Sequence, residues 1–193
     1  NLAGAYESAG RLDEAITLYE QVLTDSIHIL GPDHPNTLTI LNNLAGAYHA
    51  AGRLDEAITL NEQVLTARTR VLGPDHPDTL TILNNLAGAY ESAGRLDEAI
   101  TLYEQVLTDS IHILGPDHPN TLTILNNLAG AYHAAGRLDE AITLYEQVLT
   151  ARTRVLGKDH PATLATLNAL ASAYKDAGFL NKATALLEGE TPT

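Results

Sequence analysis

The side chains with chemistry to offer recur in this chain at a fixed distance. An Asn pair stands at Asn42 and Asn43, again at Asn84 and Asn85, and again at Asn126 and Asn127. One histidine follows an aspartate and precedes a proline at His34, His76, His118 and His160, and another column reads Glu7, His49, Glu91, His133, Lys175. An amide both donates and accepts, so a row of Asn can hold an extended backbone whatever its side chains. His and Asp are metal ligands, but one His per 42 residues, displaced by a whole repeat each time, cannot converge on one ion at bonds of about 2 Å. The Asp-His-Pro sites are instead expected to cap a helix, with proline in its first turn. Nucleophilic catalysis has no support. There is no Cys, the few serines (Ser8, Ser26, Ser92, Ser110, Ser172) form no nucleophile elbow, and adjacent acids such as Asp13 and Glu14 suit a helix N-terminus. No glycine-rich phosphate loop occurs; Gly4, Gly46, Gly88 and Gly130 are expected to serve close packing. No enzyme, cofactor or metal site is expected.

These residues are carried by LNNLAGAYHAAGRLDEAI, Leu41 to Ile58, which returns from Leu83 and Leu125 and, degraded, from Leu167. A fixed period of this size means a stacked array. Leu38, Leu41, Leu44, Ala45, Tyr48 and Ala51 recur at three- and four-residue steps, one apolar face of a helix, and Gly52 stands where a left-handed C-terminal residue is wanted. A second apolar pattern, Leu54, Ala57, Ile58, Val64, Leu65 and Leu72, runs from Arg53 to Gly73, with acids in its first turn and Arg68 and Arg70 in its last. Each unit is thus a helix A and a longer helix B, predicted at 1–9, 11–30, 36–51, 53–72 and onward to 179–188. The array occupies 1–193 as repeats 1–35 (truncated), 36–77, 78–119, 120–161 and 162–193, the last being a polar cap ending in EGETPT. A chain that opens inside a repeat points to a segment upstream.

The net charge of −13 argues against nucleic acid and anionic membranes as partners. No apolar run approaches the roughly 18 residues of a membrane span, so a soluble, cytoplasmic protein is expected. Its basic residues form no stripe: four stand one per repeat at Arg11, Arg53, Arg95 and Arg137, and helix A carries none until Lys175.

Residues 1–42 equal 85–126, and 43–84 differ from 127–168 only at positions 61, 74, 78, 81 and 82, so the larger repeat is a pair of units. Alternation of Asp25–Arg68–Asp109–Arg152 and of Glu7–His49–Glu91–His133 suggests charge ladders between stacked helices, or two ancestral units duplicated together. Position 61 breaks another column: Tyr19, Asn61, Tyr103, Tyr145. Drift at a half-exposed site and a functional pocket are both open there.

Leu41, Leu44, Ala45, Tyr48, Gly52, Leu54 and Ala57 together resemble the tetratricopeptide repeat motif. The 42-residue period, the LNNLA of helix A and the DHP linker are similar to its kinesin light chain type, found also in nephrocystin-like proteins and in bacterial regulators with signalling ATPase domains. The resemblance implies an all-α, right-handed superhelical solenoid of antiparallel helix pairs, with helix A lining a concave groove. It implies a scaffold that binds a protein or an extended peptide, with Asn42, Asn43, His49, Asn84, Asn85, Glu91, Asn126, Asn127 and His133 as groove residues. Kinesin light chains favour acidic peptides, but this groove offers Asn, Thr, His and Glu, so the expected ligand is neutral to mildly basic. A sensor array of a larger signalling ATPase or transcriptional regulator, and a head-to-tail self-stacking array, are the alternatives.

Overall fold

The computed structural model describes residues 2–188. They form an all-α chain in two compact units, residues 1–99 and 100–193. In the first, α1 (Leu2–Ser8), α2 (Leu12–Leu30), α3 (Pro35–Ala50), α4 (Leu54–Leu72) and α5 (Pro77–Ser92) pack each against the next. Helix α6 (Leu96–Leu114) begins in the first unit and continues into the second. There α7 (Pro119–Ala134), α8 (Leu138–Leu156), α9 (Pro161–Asp176) and α10 (Leu180–Glu188) again pack in chain order, and α7 also meets α9.

Local chemistry sets the helix ends. His34 is the N-cap of α3, in extended backbone, and its Nδ1 accepts from the Asn36 amide at 3.1 Å while Pro35 opens the helix. His76, His118 and His160 do the same. An imidazole here satisfies an amide that the helix leaves unpaired. At the other end Gly52, at φ +74°, turns the chain: its amide donates to the His49 carbonyl and the Arg53 amide to the Tyr48 carbonyl. That six-to-one closure requires a left-handed residue, which glycine adopts without a Cβ clash.

The observed ends differ slightly from the expected ones. Helix A begins on the proline rather than after it, and Arg11, Arg53 and Arg137 stand before helix B as caps without a side-chain cap bond. Asn1 and all of EGETPT but Glu188 lie outside the described residues.

The core follows the apolar columns. Ala15, Ile16, Tyr19, Leu44, Ala47, Tyr48 and Ala57 make one buried cluster in the first unit. Burying a Leu or Ile side chain contributes about 1.5–3 kcal/mol, so these columns carry the fold. Polar residues join the interior in pairs. The Ser26 and Thr37 hydroxyls share a 2.7 Å bond, as Ser110 and Thr121 do at 2.8 Å, all four buried.

Two expectations fail for physical reasons. Of the four glycines expected to serve close packing, Gly46 does not need to be one: a Cβ there would meet nothing within 4 Å. The Asp25–Arg68–Asp109–Arg152 ladder does not form either. Counting by the 42-residue repeat, Arg68 and Arg152 replace Ser26 and Ser110, so they occupy the buried column rather than that of Asp25. Arg68 pairs with Asp78 at 3.1 Å, and Arg152 turns inward, 7% exposed.

Candidate functional site

Each helix A ends in a tyrosine whose two sides are committed. The Tyr48 hydroxyl donates to Glu20 Oε1 at 2.6 Å, and the Arg53 guanidinium lies 4.2 Å from the ring centroid. Arg53 also bonds Glu56 at 2.9 Å. The set recurs at Tyr90 with Glu62, Arg95 and Glu98, and at Tyr132 with Glu104, Arg137 and Glu140. The hydrogen bonds from these arginines hold Glu56, Glu98 and Glu140 below the usual carboxylate range. In the last helix A, burial and the Glu146 carboxylate push the Tyr174 phenol up to about 12. There Phe179 stands where the arginine would, edge-on to Tyr174 at 6.3 Å. This hinge locks the helix pair and holds no residue expected to meet a ligand.

The asparagines are arranged differently from a simple column. Asn85 Nδ2 donates to Asn42 Oδ1 at 3.1 Å, 43 residues apart rather than 42. The histidines share this offset: His49 Nε2 lies 2.8 Å from Ser92 Oγ, and His133 Nε2 lies 2.8 Å from Asp176 Oδ2. At these three contacts a residue of one helix A meets not its own equivalent but the next column of the following helix A. The expected pairing of His49 with Glu91 is therefore replaced by His49 with Ser92. Glu7 instead lies 3.5 Å from the Tyr19 hydroxyl, and Glu91 is half-buried.

The Asn42–Asn85 bond uses one amide hydrogen and one carbonyl, leaving Asn42 Nδ2 and Asn85 Oδ1 free of further side-chain bonds. Asn43, half-buried on α3, makes no side-chain hydrogen bond to another described residue. Asn84 and Asn127 are half-buried. In the second unit the residue 43 after Asn126 is Ala169, whose side chain has nothing to donate. Asn126 Oδ1 accepts instead from the Thr166 hydroxyl at 2.9 Å and from Arg152 at 3.4 Å.

Arg152, expected from the sequence only as a rung of a charge ladder, is instead an inward-turned anchor. Its guanidinium also donates to the Ala162 carbonyl at 3.0 Å and Thr166 Oγ1 at 2.7 Å, with longer contacts to the Leu122 carbonyl and Thr123. Position 162 is Asp78 one pair earlier and Ala here, so no carboxylate reaches the cation, and burial lowers its pKa. Substitutions at 162 and 166 beside an arginine were the available signal. Asn61 was likewise undervalued: it is 4% exposed, not half-exposed, and its Oδ1 is buried without a hydrogen-bond partner. Among the described residues no three His, Asp or Glu side chains gather as metal ligands.

The tetratricopeptide repeat family model matches residues 1–70, 38–110, 93–152 and 121–188. The chain belongs to the tetratricopeptide repeat family. Among solved structures, a single-residue variant of the kinesin light chain-type protein of Podosopora anserina, with nearly identical TPR-like repeats, is 38% identical. That match covers 97% of this chain and 89% of that one at a TM-score of 0.83. BtubC (BKLC) from P. vanneervenii is 25% identical over 100% of this chain and 80% of its own, at 0.80. A Rap protein complexed with Competence and Sporulation Factor shares the fold at 12% identity and 0.80, over 97% of this chain and 50% of its own. Comparison with curated proteins gives no match. The tetratricopeptide repeats are kinesin light chain-like, a type that is generally an interaction scaffold, and no catalytic family is indicated. No described helix is long and apolar enough to cross a membrane.

Proposed function

We propose that this array binds an extended peptide segment of a protein partner along its helix A faces, and that Asn43 with the Asn42–Asn85 pair forms the backbone-reading element. The observation that carries this reading is the unused capacity of those amides. Asn43 offers a donor and an acceptor, and the paired Asn42 and Asn85 add one donor group and one acceptor between neighbouring units. An extended backbone presents the complementary alternation of carbonyl and amide. Asn126, which accepts from Thr166 and Arg152, is the less available end of the row.

Charge favours a neutral to mildly basic ligand. The chain carries −13, and of the guanidinium groups on helix B, that of Arg68 pairs with Asp78 and that of Arg152 donates to the Ala162 carbonyl and Thr166. Peptide binding is known for this fold: a Rap conjugation regulator of plasmid pLS20, related by fold alone at 16% identity and TM-score 0.78, was solved in complex with the Phr* peptide.

The test is selection of binders from a random peptide display library on the intact chain, followed by calorimetry of the selected peptides. Asn43→Ala removes one to two hydrogen bonds, and affinity falls about two- to tenfold. Asn168→Ala, exposed on the last helix A, leaves it unchanged. Equal affinities for wild type and Asn43→Ala would reject the assignment.

A further inference from the structure

Four equivalent positions on helix B read Tyr19, Asn61, Tyr103, Tyr145, and all four are buried. In the first unit Tyr19 lies in a cluster with Ala3, Ala15, Ile16, Leu44, Ala47 and Tyr48, and its hydroxyl extends toward Glu7 of helix A. Forty-two residues on, the cluster's positions are Ala45, Ala57, Ile58, Leu86, Ala89 and Tyr90, the same residue types. The surroundings therefore suit a phenol ring, yet the side chain supplied is a short amide. Two observations set this position apart from its equivalents. Asn61 Oδ1 is buried with no hydrogen-bond partner, which native interiors seldom tolerate. Tyr90 is only half-buried, whereas Tyr48, Tyr132 and Tyr174, each 29 residues after a tyrosine of helix B, are 8%, 8% and 3% exposed; Tyr6, with no such residue before it, is half-buried as well.

We infer that Asn61 is the floor of a subsite that admits an aromatic group bearing a hydrogen-bond donor, a phenol above all, beside the ring of Tyr90. The ring replaces the missing tyrosine against apolar neighbours, and its hydroxyl donates to Oδ1. A purely apolar ring fills the same space and leaves the acceptor orphaned, so it binds more weakly. The phenol can come from a free small molecule or from a tyrosine side chain of a bound peptide. This inference stands on Asn61 and Tyr90 and is independent of the asparagine face.

The test follows thermal unfolding and calorimetric binding of the intact chain with three probes: p-cresol, toluene and the tripeptide Gly-Tyr-Gly. p-Cresol should raise the melting temperature of the wild type in a saturable way. Toluene should bind roughly tenfold more weakly. Asn61→Tyr fills the site from within and should lose p-cresol binding, while Asn61→Ala should fold, bind both rings and no longer distinguish them. Tripeptide binding that Asn61→Tyr abolishes assigns the source to a peptide tyrosine; p-cresol binding without it assigns a free phenol. No saturable p-cresol binding to the wild type, equal binding to wild type and Asn61→Tyr, or equal affinity of wild type for toluene and p-cresol would each overturn the inference.

Discussion

Two glycines 6 residues apart should respond in opposite directions to the same methyl group. Gly46 lies inside α3 on its exposed side, and a Cβ there meets no atom within 4 Å. Gly46→Ala therefore introduces no clash and gains helix propensity, worth about 0.5–1 kcal/mol. Gly52 also has open space around its Cβ position, but its φ is +74° and two capping bonds depend on that turn. Gly52→Ala thus costs about 1 kcal/mol through backbone strain alone. For a chain of this size 1 kcal/mol moves the melting temperature by about 2–4 °C. Urea unfolding followed by circular dichroism should show a higher midpoint for Gly46→Ala and a lower one for Gly52→Ala, at unchanged slope. A lower midpoint for Gly46→Ala would refute the reasoning, because it would mean that something packs where open space is described.

The hinge tyrosines and arginines give two pH predictions. The Tyr174 phenol is held at about 12, so its folded value lies above the ordinary 10.0; the stability it contributes is complete below pH 10 and lost as pH rises toward 12. Tyrosinate absorbance during an alkaline titration should show a component ionising near pH 12 that Tyr174→Phe removes. Glu14, Glu56, Glu98 and Glu140 have lowered values, so their contribution is present above the unfolded value of 4.5 and disappears as pH falls below it. Melting temperatures measured from pH 6 to pH 3 should fall less steeply after Glu56→Gln than in the wild type; an identical slope would count against the Arg53–Glu56 contact.

Helix identity, the glycine turns and the histidine caps could be read from the sequence because each depends on neighbours within a few residues. Pro35, His34 and Gly52 specify their own backbone. What could not be read depends on which column faces inward and which column of the next unit it meets. Arg68 looked like the partner of Asp25 because the two lie in corresponding short segments of successive B helices. One residue of difference turns an exposed column into the buried column of Ser26. The one-residue offset between Asn42 and Asn85 is likewise a matter of tertiary packing, which periodicity alone does not announce. Asn61 was visible as an exception, but its burial belongs to tertiary packing and no local pattern announces it.

The central claim is that the asparagine face reads a partner's backbone rather than its side chains. An N-methyl scan of a selected peptide measures this most directly, because each methyl removes one backbone donor and leaves the side chain in place. The account predicts two or more positions where N-methylation weakens binding about tenfold, with at least one of these losses absent against Asn43→Ala. Binding that tolerates N-methylation at every position, and falls only when side chains are truncated, would contradict it.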